Sequence, residues 1–419
     1  MFDLESLGKR AKLAQKEIVV LEEEKINSAL KLCAEYLIKN KEFLKEKNLI
    51  DIENAVKKGM ADSFIDRLKL TDAVISGMAD GLVKISNAKS PLGRVVYSYE
   101  NEYQDIKIQK ITVPFGVVGI IYESRPNVTA DAFGLCFKAG NVTVLKGGSD
   151  SINSNQAVVG VLKSALEDSG VSGDAILLIE DTSRETTNAL LKLDKYVDLL
   201  IPRGGKSLIQ NAVKNATIPI IETGTGNCHV YIDEFADLEK AVNIVFNAKT
   251  QRYSVCNACE SLVIHKNILD KALPLIANKL LEKNVEIRAD ENSYNVLKGY
   301  PHLVKATEED FGTEFLGAVI SIKVVNNLEE AISHVNEYST GHSESIVTEN
   351  EQNANLFMDL IDSSSVYHNA STRFSDGEIF GLGAEVGIST QKLHARGPMG
   401  MEALVTTKYK IIGNGSIRK

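Results

Sequence analysis

Between Pro114 and Ile232 short apolar runs alternate with longer amphipathic ones, and this alternation restricts the fold more than any other feature of the chain. Residues 116–121, Gly-Val-Val-Gly-Ile-Ile, read as a strand buried on both faces, and 128–138 read as a helix. Strands follow at 141–146, 175–179 and 197–201, with helices at 153–168, 186–192 and 205–213. Continuous apolar strands joined by helices make a parallel, doubly wound sheet, because only helical crossovers return the chain to the same edge. Runs at 218–221 and 229–232 are read as the last strands of this block. A second α/β block spans about 233–395, with strands at 262–265, 319–325, 345–347 and 365–368 and helices at 268–283 and 328–338. The glycine-rich stretch 377–400 reads as ordered loop.

Upstream, residues 3–86 carry helical stripes: Leu4, Leu7, Ala11, Leu13 and Ala14 begin one, and Ile26, Ala29, Leu30, Cys33 and Leu37 continue it. Residues 95–99 and 106–111 alternate as a hairpin across a polar turn, its apolar face meant either to cap the core or to pair with another subunit. With 419 residues, one ordinary core is exceeded and two or three domains are expected. A net charge of −9 argues against a nucleic-acid surface, and no apolar run reaches the ~18 residues of a membrane span. The N-terminal residues lack the basic and apolar regions of a signal peptide, and five scattered cysteines do not form a disulfide framework. The expectation is a cytoplasmic, reduced protein that handles small molecules, with no membrane partner.

Chemistry is sought at the ends of strands. The stretch Gln251 to Glu260 carries Cys256 between a helix and an apolar strand, where a thiolate can attack a carbonyl while nearby N–H groups hold the oxyanion. A lone cysteine is more often a packing residue, so Cys256 decides nothing by itself. Cys256 and Cys259 form a C-x-x-C, but no second ligand pair with metal spacing exists and the position is wrong for a thioredoxin motif; no metal is expected. Lys146-Gly147-Gly148 and Arg203-Gly204-Gly205 each follow a strand, as phosphate-binding turns of doubly wound sheets do. Either is equally an ordinary βα loop. Arg125 and Asn127 after one strand, and Glu222 to Asn227 after another, add polar groups at the same edge.

Taken in order, Glu-Ser-Arg-Pro-Asn (123–127), Leu-Lys-Gly-Gly (145–148), Ile-Pro-Arg-Gly-Gly (201–205), Glu-Thr-Gly-Thr-Gly-Asn-Cys-His (222–229), Val-Cys-Asn-Ala (255–258) and Leu-His-Ala-Arg-Gly-Pro-Met-Gly (393–400) closely resemble the γ-glutamyl phosphate reductases, a family of the aldehyde dehydrogenase superfamily. The resemblance spans nearly the whole chain. It implies an aldehyde dehydrogenase-like α/β fold: a doubly wound NADP-binding domain at 1–94 and 112–224, an α/β catalytic domain at 225–395, and a β-hairpin oligomerisation flap and tail at 95–111 and 396–419.

By the same resemblance Cys256 is the nucleophile, and Asn127 with the Cys256 N–H holds the oxyanion. Lys146 binds the adenosine ribose, Gly204 and Gly205 lie on the pyrophosphate side, and Glu314 binds the nicotinamide ribose. Ser371 and Arg373 are candidates for the substrate α-carboxylate, and Arg125 for its phosphate or carboxylate. NAD-preferring relatives carry glutamate where this chain has Ser149, so NADP(H) is expected, with the neighbouring Asp150 arguing the other way. Glu222 matches a water-activating glutamate that an acyl-phosphate reductase does not need, and Cys259 is assigned to packing. The implied activity is NADPH-dependent reduction of L-glutamyl 5-phosphate to L-glutamate 5-semialdehyde and phosphate in proline biosynthesis. A homo-oligomer of at least two chains is expected, and direct transfer from glutamate 5-kinase is left open. The rivals are a CoA-acylating or other aldehyde dehydrogenase, and a catalytically silent binding protein of the same fold.

Overall fold

The computed structural model describes residues 2–103, 105–123 and 125–418. Gln104 in the hairpin turn and Ser124 in the Glu-Ser-Arg-Pro-Asn run lie outside the described residues. The chain divides into two compact units. Unit 1 holds the residues up to Glu222, Gly381–Gly387 and those from Met399 onward; unit 2 holds Thr223–Phe380 and Ile388–Pro398.

Unit 1 begins with five helices, α1 (Leu4–Ile18), α2 (Glu23–Lys39), α3 (Lys41–Lys57), α4 (Asp62–Leu68) and α5 (Asp72–Asn87). Asp3 caps α1 by accepting the Ser6 N–H at 2.9 Å, and Thr71 caps α5 at Val74. Apart from Leu13, which is exposed, the striped residues fall inside as their spacing demands: Ala29, Leu30, Cys33 and Leu37 are fully buried. Each buried leucine there contributes about 1.5–3 kcal/mol.

The hairpin forms from β1 (Val95–Asn101) and β2 (Ile106–Pro114), and the C-terminal strand Val405–Gly413 adds antiparallel to the other edge of β2. This three-stranded sheet does not cap the core. Val95, Val96, Tyr97, Tyr99, Tyr409, Ile411 and Ile412 are all exposed.

The doubly wound sheet of unit 1 contains β3 (Val117–Tyr122), β4 (Val142–Gly147), β5 (Ile176–Leu178) and β6 (Leu199–Arg203), with α6 (Val128–Lys138), α7 (Ile152–Asp168), α8 (Arg184–Leu190) and α9 (Lys206–Asn215) between and after them. All pairs are parallel, in the order β5-β4-β3-β6. The chain winds from β3 out to β5 and then returns to the far side of β3, which places the switch point between β3 and β6. Ligands of such sheets bind at that point, beyond the carboxyl ends of the strands. The segment 218–221, read as a strand, makes only one bridge, Leu200 to Ile220. Pro219 has no N–H to extend the ladder.

Unit 2 is built on seven parallel strands in the order β10-β9-β11-β8-β7-β12-β13. They are β7 (Cys228–Ile232), β8 (Cys259–His265), β9 (Glu286–Ala289), β10 (Leu303–Lys305), β11 (Val319–Val325), β12 (Ser343–Val347) and β13 (Ser365–His368). The helices are α10 (Leu238–Thr250), α11 (Leu269–Leu281), α12 (Glu291–Val296), α13 (Glu308–Phe311), α14 (Leu328–Tyr338) and α15 (Glu351–Leu360).

The run at 229–232 therefore belongs to this sheet, paired with β8 and β12, and not to the first block as its sequence neighbours suggested. A continuous apolar run fits the interior of any parallel sheet, so composition could not assign it. Strands β9 and β10 also escaped the sequence reading, because Glu286, Arg288 and Lys305 break their apolar pattern. Alternation within β8 sets the layers. Leu262 and Ile264 pack with Ala241, Val245, Leu273 and Ile276 on one face, while Val263 packs with Ala331, Val335 and Phe357 on the other. Among the described residues no helix is long and apolar enough to cross a membrane.

Candidate functional site

In unit 2 the stretch between α10 and β8 is a tight loop, with the Ala258 N–H returning to the Val255 carbonyl at 3.1 Å. Cys256 lies in this turn and is partly exposed, whereas Cys33, Cys136, Cys228 and Cys259 are buried. Burial pushes the Cys33, Cys136 and Cys259 thiols up to about 12 and raises Cys228 as well, so these four stay protonated.

The loop is held on several sides. The Asn257 amide donates to the Ser375 carbonyl at 2.8 Å, and the Asn257 carbonyl accepts the Thr372 hydroxyl at 2.7 Å. The Cys228 thiol donates to the Cys256 carbonyl at 3.1 Å. Gly226 presses on the same peptide, and a Cβ built there would stand 1.4 Å from the Cys256 oxygen. No side chain fits at position 226 without moving the thiol. The Gly226 N–H donates to the Glu314 carboxylate at 2.7 Å, which brings Glu314 to the edge of the same loop.

Ser371 and Arg373 stand on the segment that receives Asn257. The Ser371 hydroxyl oxygen accepts the Arg373 N–H at 3.3 Å, and Arg373 Nε donates to the Gln251 side chain at 2.9 Å. Burial holds the Arg373 guanidinium below its ordinary range, while Cys256 acts in the opposite direction. A cation within electrostatic reach of a partly exposed thiol favours the thiolate, the nucleophilic form.

In unit 1 the remaining residues gather at the carboxyl ends of three adjacent strands. Tyr122, the last residue of β3, is in register with Gly147 of β4 and with Arg203 of β6. Lys146 is buried at the end of β4; its ammonium donates to the Gly147 carbonyl at 3.3 Å and is held below its ordinary range by burial, with Asp181 opposing. Gly204 and Gly205 join β6 to α9. A Cβ at Gly204 would meet the Glu123 carboxylate at 2.7 Å, while one at Gly205 would point into open space. The Gly205 N–H donates to Glu123 at 3.1 Å.

A buried ammonium at the end of β4 and the N-terminus of α9 after β6, on either side of β3 at the carboxyl edge of the sheet, are a donor set suited to the ribose and phosphates of a dinucleotide. Next to Ser149, Asp150 pairs with Lys58 at 2.9 Å, so its charge is offset. Asn127 opens α6 and donates one amide hydrogen to Asp131 at 3.2 Å. The Asp131 carboxyl is raised to about 6 by burial, against the Asn127 hydrogen bond and the Arg203 charge. Arg125 is partly exposed in the turn before α6, its carbonyl accepting the Val128 N–H.

The structure thus groups Cys256, Glu314, Ser371 and Arg373 in unit 2, and Arg125, Asn127, Lys146, Gly204 and Gly205 in unit 1. Four contributors were missed in the sequence: Gly226, Cys228, Asn257 and Asp131. Asp131 had a readable signal, its i,i+4 spacing from Asn127 on one helix face. The other three act through backbone contacts between distant segments, which no local pattern reveals.

Comparison with known proteins places these features. A family model described as "Aldehyde dehydrogenase family" matches residues 3–294 and 302–408. The chain is similar, at 52% identity over 100% of both chains, to a γ-glutamyl phosphate reductase of Lachnospira eligens. It is 53% identical to one of Agathobacter rectalis, again over 100% of both. Among solved structures, the γ-glutamyl phosphate reductase of Thermotoga maritima matches with a TM-score of 0.96 and 43% identity, covering 100% of each chain.

Proposed function

This chain belongs to the γ-glutamyl phosphate reductases of the aldehyde dehydrogenase family, and on that premise we propose that it reduces L-glutamyl 5-phosphate to L-glutamate 5-semialdehyde and phosphate, in proline biosynthesis, through a thioester on Cys256. The observation that carries this reading is the Cys256 loop: a partly exposed thiol on a peptide fixed by Gly226, Cys228 and Asn257, with the Arg373 cation in reach.

The Cys256 thiolate attacks the acyl carbon, an S–C bond forms, and phosphate departs with the electron pair of the C–O bond. The Cys256 N–H, and the amide hydrogen of Asn127 not committed to Asp131, stabilise the oxyanion at each tetrahedral stage. When bound, the reduced nicotinamide supplies the hydride that brings the thioester to the aldehyde level. Collapse of the resulting thiohemiacetal returns the thiolate and releases the semialdehyde. Ser371, whose oxygen accepts a backbone N–H and whose hydrogen remains to donate, and Arg373 bind the α-carboxylate; Arg125 meets the phosphate.

The family works with a nicotinamide cofactor, and NADP(H) is the form this reading favours. Unit 1, with Lys146, Gly204 and Gly205, holds its adenosine and pyrophosphate end, and Glu314 of unit 2 holds the nicotinamide ribose. Ser149 brings no charge against a 2′-phosphate, and Lys58 offsets the one on Asp150. The exposed apolar residues of the three-stranded sheet, Tyr97, Tyr99, Tyr409 and Ile411 among them, support assembly into at least a dimer. None of the five cysteines is paired in a disulfide among the described residues, which suits the reducing cytoplasm.

The direct test is Cys256→Ser. Reduction should fall by at least about 10⁴-fold, as for loss of a covalent nucleophile, while NADPH still binds. Turnover retained in that variant contradicts the covalent scheme.

A further inference from the structure

Lys249, in the last turn of α10, and Glu260, the second residue of β8, bracket the loop that carries Cys256. Both side chains are fully buried, and Lys249 Nζ lies 2.5 Å from Glu260 Oε2. Two buried charges cost much desolvation, and an apolar pair of similar volume often serves stability as well or better. Stability alone does not explain this pair.

The other carboxylate oxygen does something a hydrocarbon cannot. Glu260 Oε1 accepts the N–H of Leu316 at 3.2 Å. Leu316 stands at φ 53°, a left-handed conformation that a leucine keeps only where its surroundings hold it. Its side chain is 44% exposed, so packing of that side chain does little of the holding. The hydrogen bond it donates to Glu260 fixes its backbone, and Phe315 stacks on Arg288 at 4.9 Å beside it. Two residues before Leu316, Glu314 reaches the Gly226 N–H, and Gly226 abuts the Cys256 peptide. The contacts therefore close a ring: Glu260 to Leu316, Glu314 to Gly226, and Gly226 to the loop that Lys249 and Glu260 clasp.

We propose that Glu260 is a positioning residue: a carboxylate held by Lys249 that ties the Cys256 loop and the Glu314 loop together, so that the two keep one register. The inference rests on the roles given above to Cys256 and Glu314, which its test separates from the clasp itself. Burial raises the Glu260 carboxyl to about 7, while the charge and hydrogen bond of Lys249 and the Leu316 N–H act in the opposite direction and favour the carboxylate.

The test uses the full chain with Lys249→Met and Glu260→Leu together, which leaves no buried charge, and Glu260→Gln alone, which keeps an acceptor for Leu316. Hydrogen exchange is followed in segments 250–258 and 312–317. In the paired variant both segments should exchange at least about tenfold faster while the rest of β8 and β11 keeps its protection. In Glu260→Gln only 250–258 should loosen. Should the paired variant not fold, the single variant carries the test through the same readout. NADPH affinity should fall about tenfold in the paired variant, the size of one charge-assisted hydrogen bond. Adding Glu314→Gln should lower it no further, because both changes act through one loop.

Unchanged exchange in segment 250–258 of either variant, or in 312–317 of the paired one, overturns the clasp, and so do additive losses of affinity. If both segments loosen while Glu314→Gln alone leaves NADPH binding intact, the clasp stands and the cofactor role of Glu314 falls.

Discussion

The loop carrying Cys256 in unit 2 enters the amino end of β8, whereas the loops after β3, β4 and β6 in unit 1 leave the carboxyl ends of their strands, and the two sets are fixed in different ways. The first is held through its backbone by buried groups: Gly226 against the Cys256 peptide, Cys228 on its carbonyl, and Asn257 received by Ser375 and Thr372. The second set relies on exposed side chains, with Glu123 on the Gly205 N–H and Lys58 on Asp150. A nucleophile loses rate steeply when displaced by an ångström, so its peptide is over-determined. Loops that bind and release a cofactor in each cycle have to open, and a screened surface contact permits that.

Substitutions can break or sharpen this contrast. Gly226→Ala should have the largest effect among them. Its Cβ would collide with the Cys256 carbonyl, so kcat should fall by more than about 10²-fold. A mild effect would mean that the loop is softer than its contacts imply. Asn127→Ala should cost about 10²-fold in kcat, the usual loss for one oxyanion donor, measured under saturating substrate. Lys58→Glu, on the exposed side of the comparison, should lower the preference for NADPH over NADH by about fivefold, read from the ratio of the two dissociation constants. An unchanged ratio removes Lys58 from cofactor selection. Cys259→Ser should alter turnover by less than about twofold, since this thiol is buried in β8 and donates to the Ser261 carbonyl. Strong loss there would revive redox use of the C-x-x-C.

What could be read from the chain beforehand follows the range of each signal. Periodicity located β3, β11, β13 and α14 closely, because burial on fixed faces imprints a local pattern. It failed where sheet membership is decided by distant partners. Residues 229–232 look like the last strand of the first block, and only their pairing with Ser261 to Ile264 and with Glu344 to Val347 puts them in the second sheet. The short strands Glu286–Ala289 and Leu303–Lys305 carry charges that hide them. At the site, motif resemblance selected Cys256, Asn127, Lys146 and Glu314 by residue type and order. It could not select Gly226 for its collision with Cys256, nor Lys249 and Glu260 for pairing across a loop, since those are properties of three-dimensional approach.

The most direct check of the proposed chemistry runs the reaction backwards: oxidation of L-glutamate 5-semialdehyde with NADP⁺, with and without inorganic phosphate, before and after alkylation of Cys256. A Cys256 thioester that is resolved by phosphate predicts NADPH formation only when phosphate is present, and none after alkylation. NADPH formation without phosphate, or undiminished after alkylation, would contradict it.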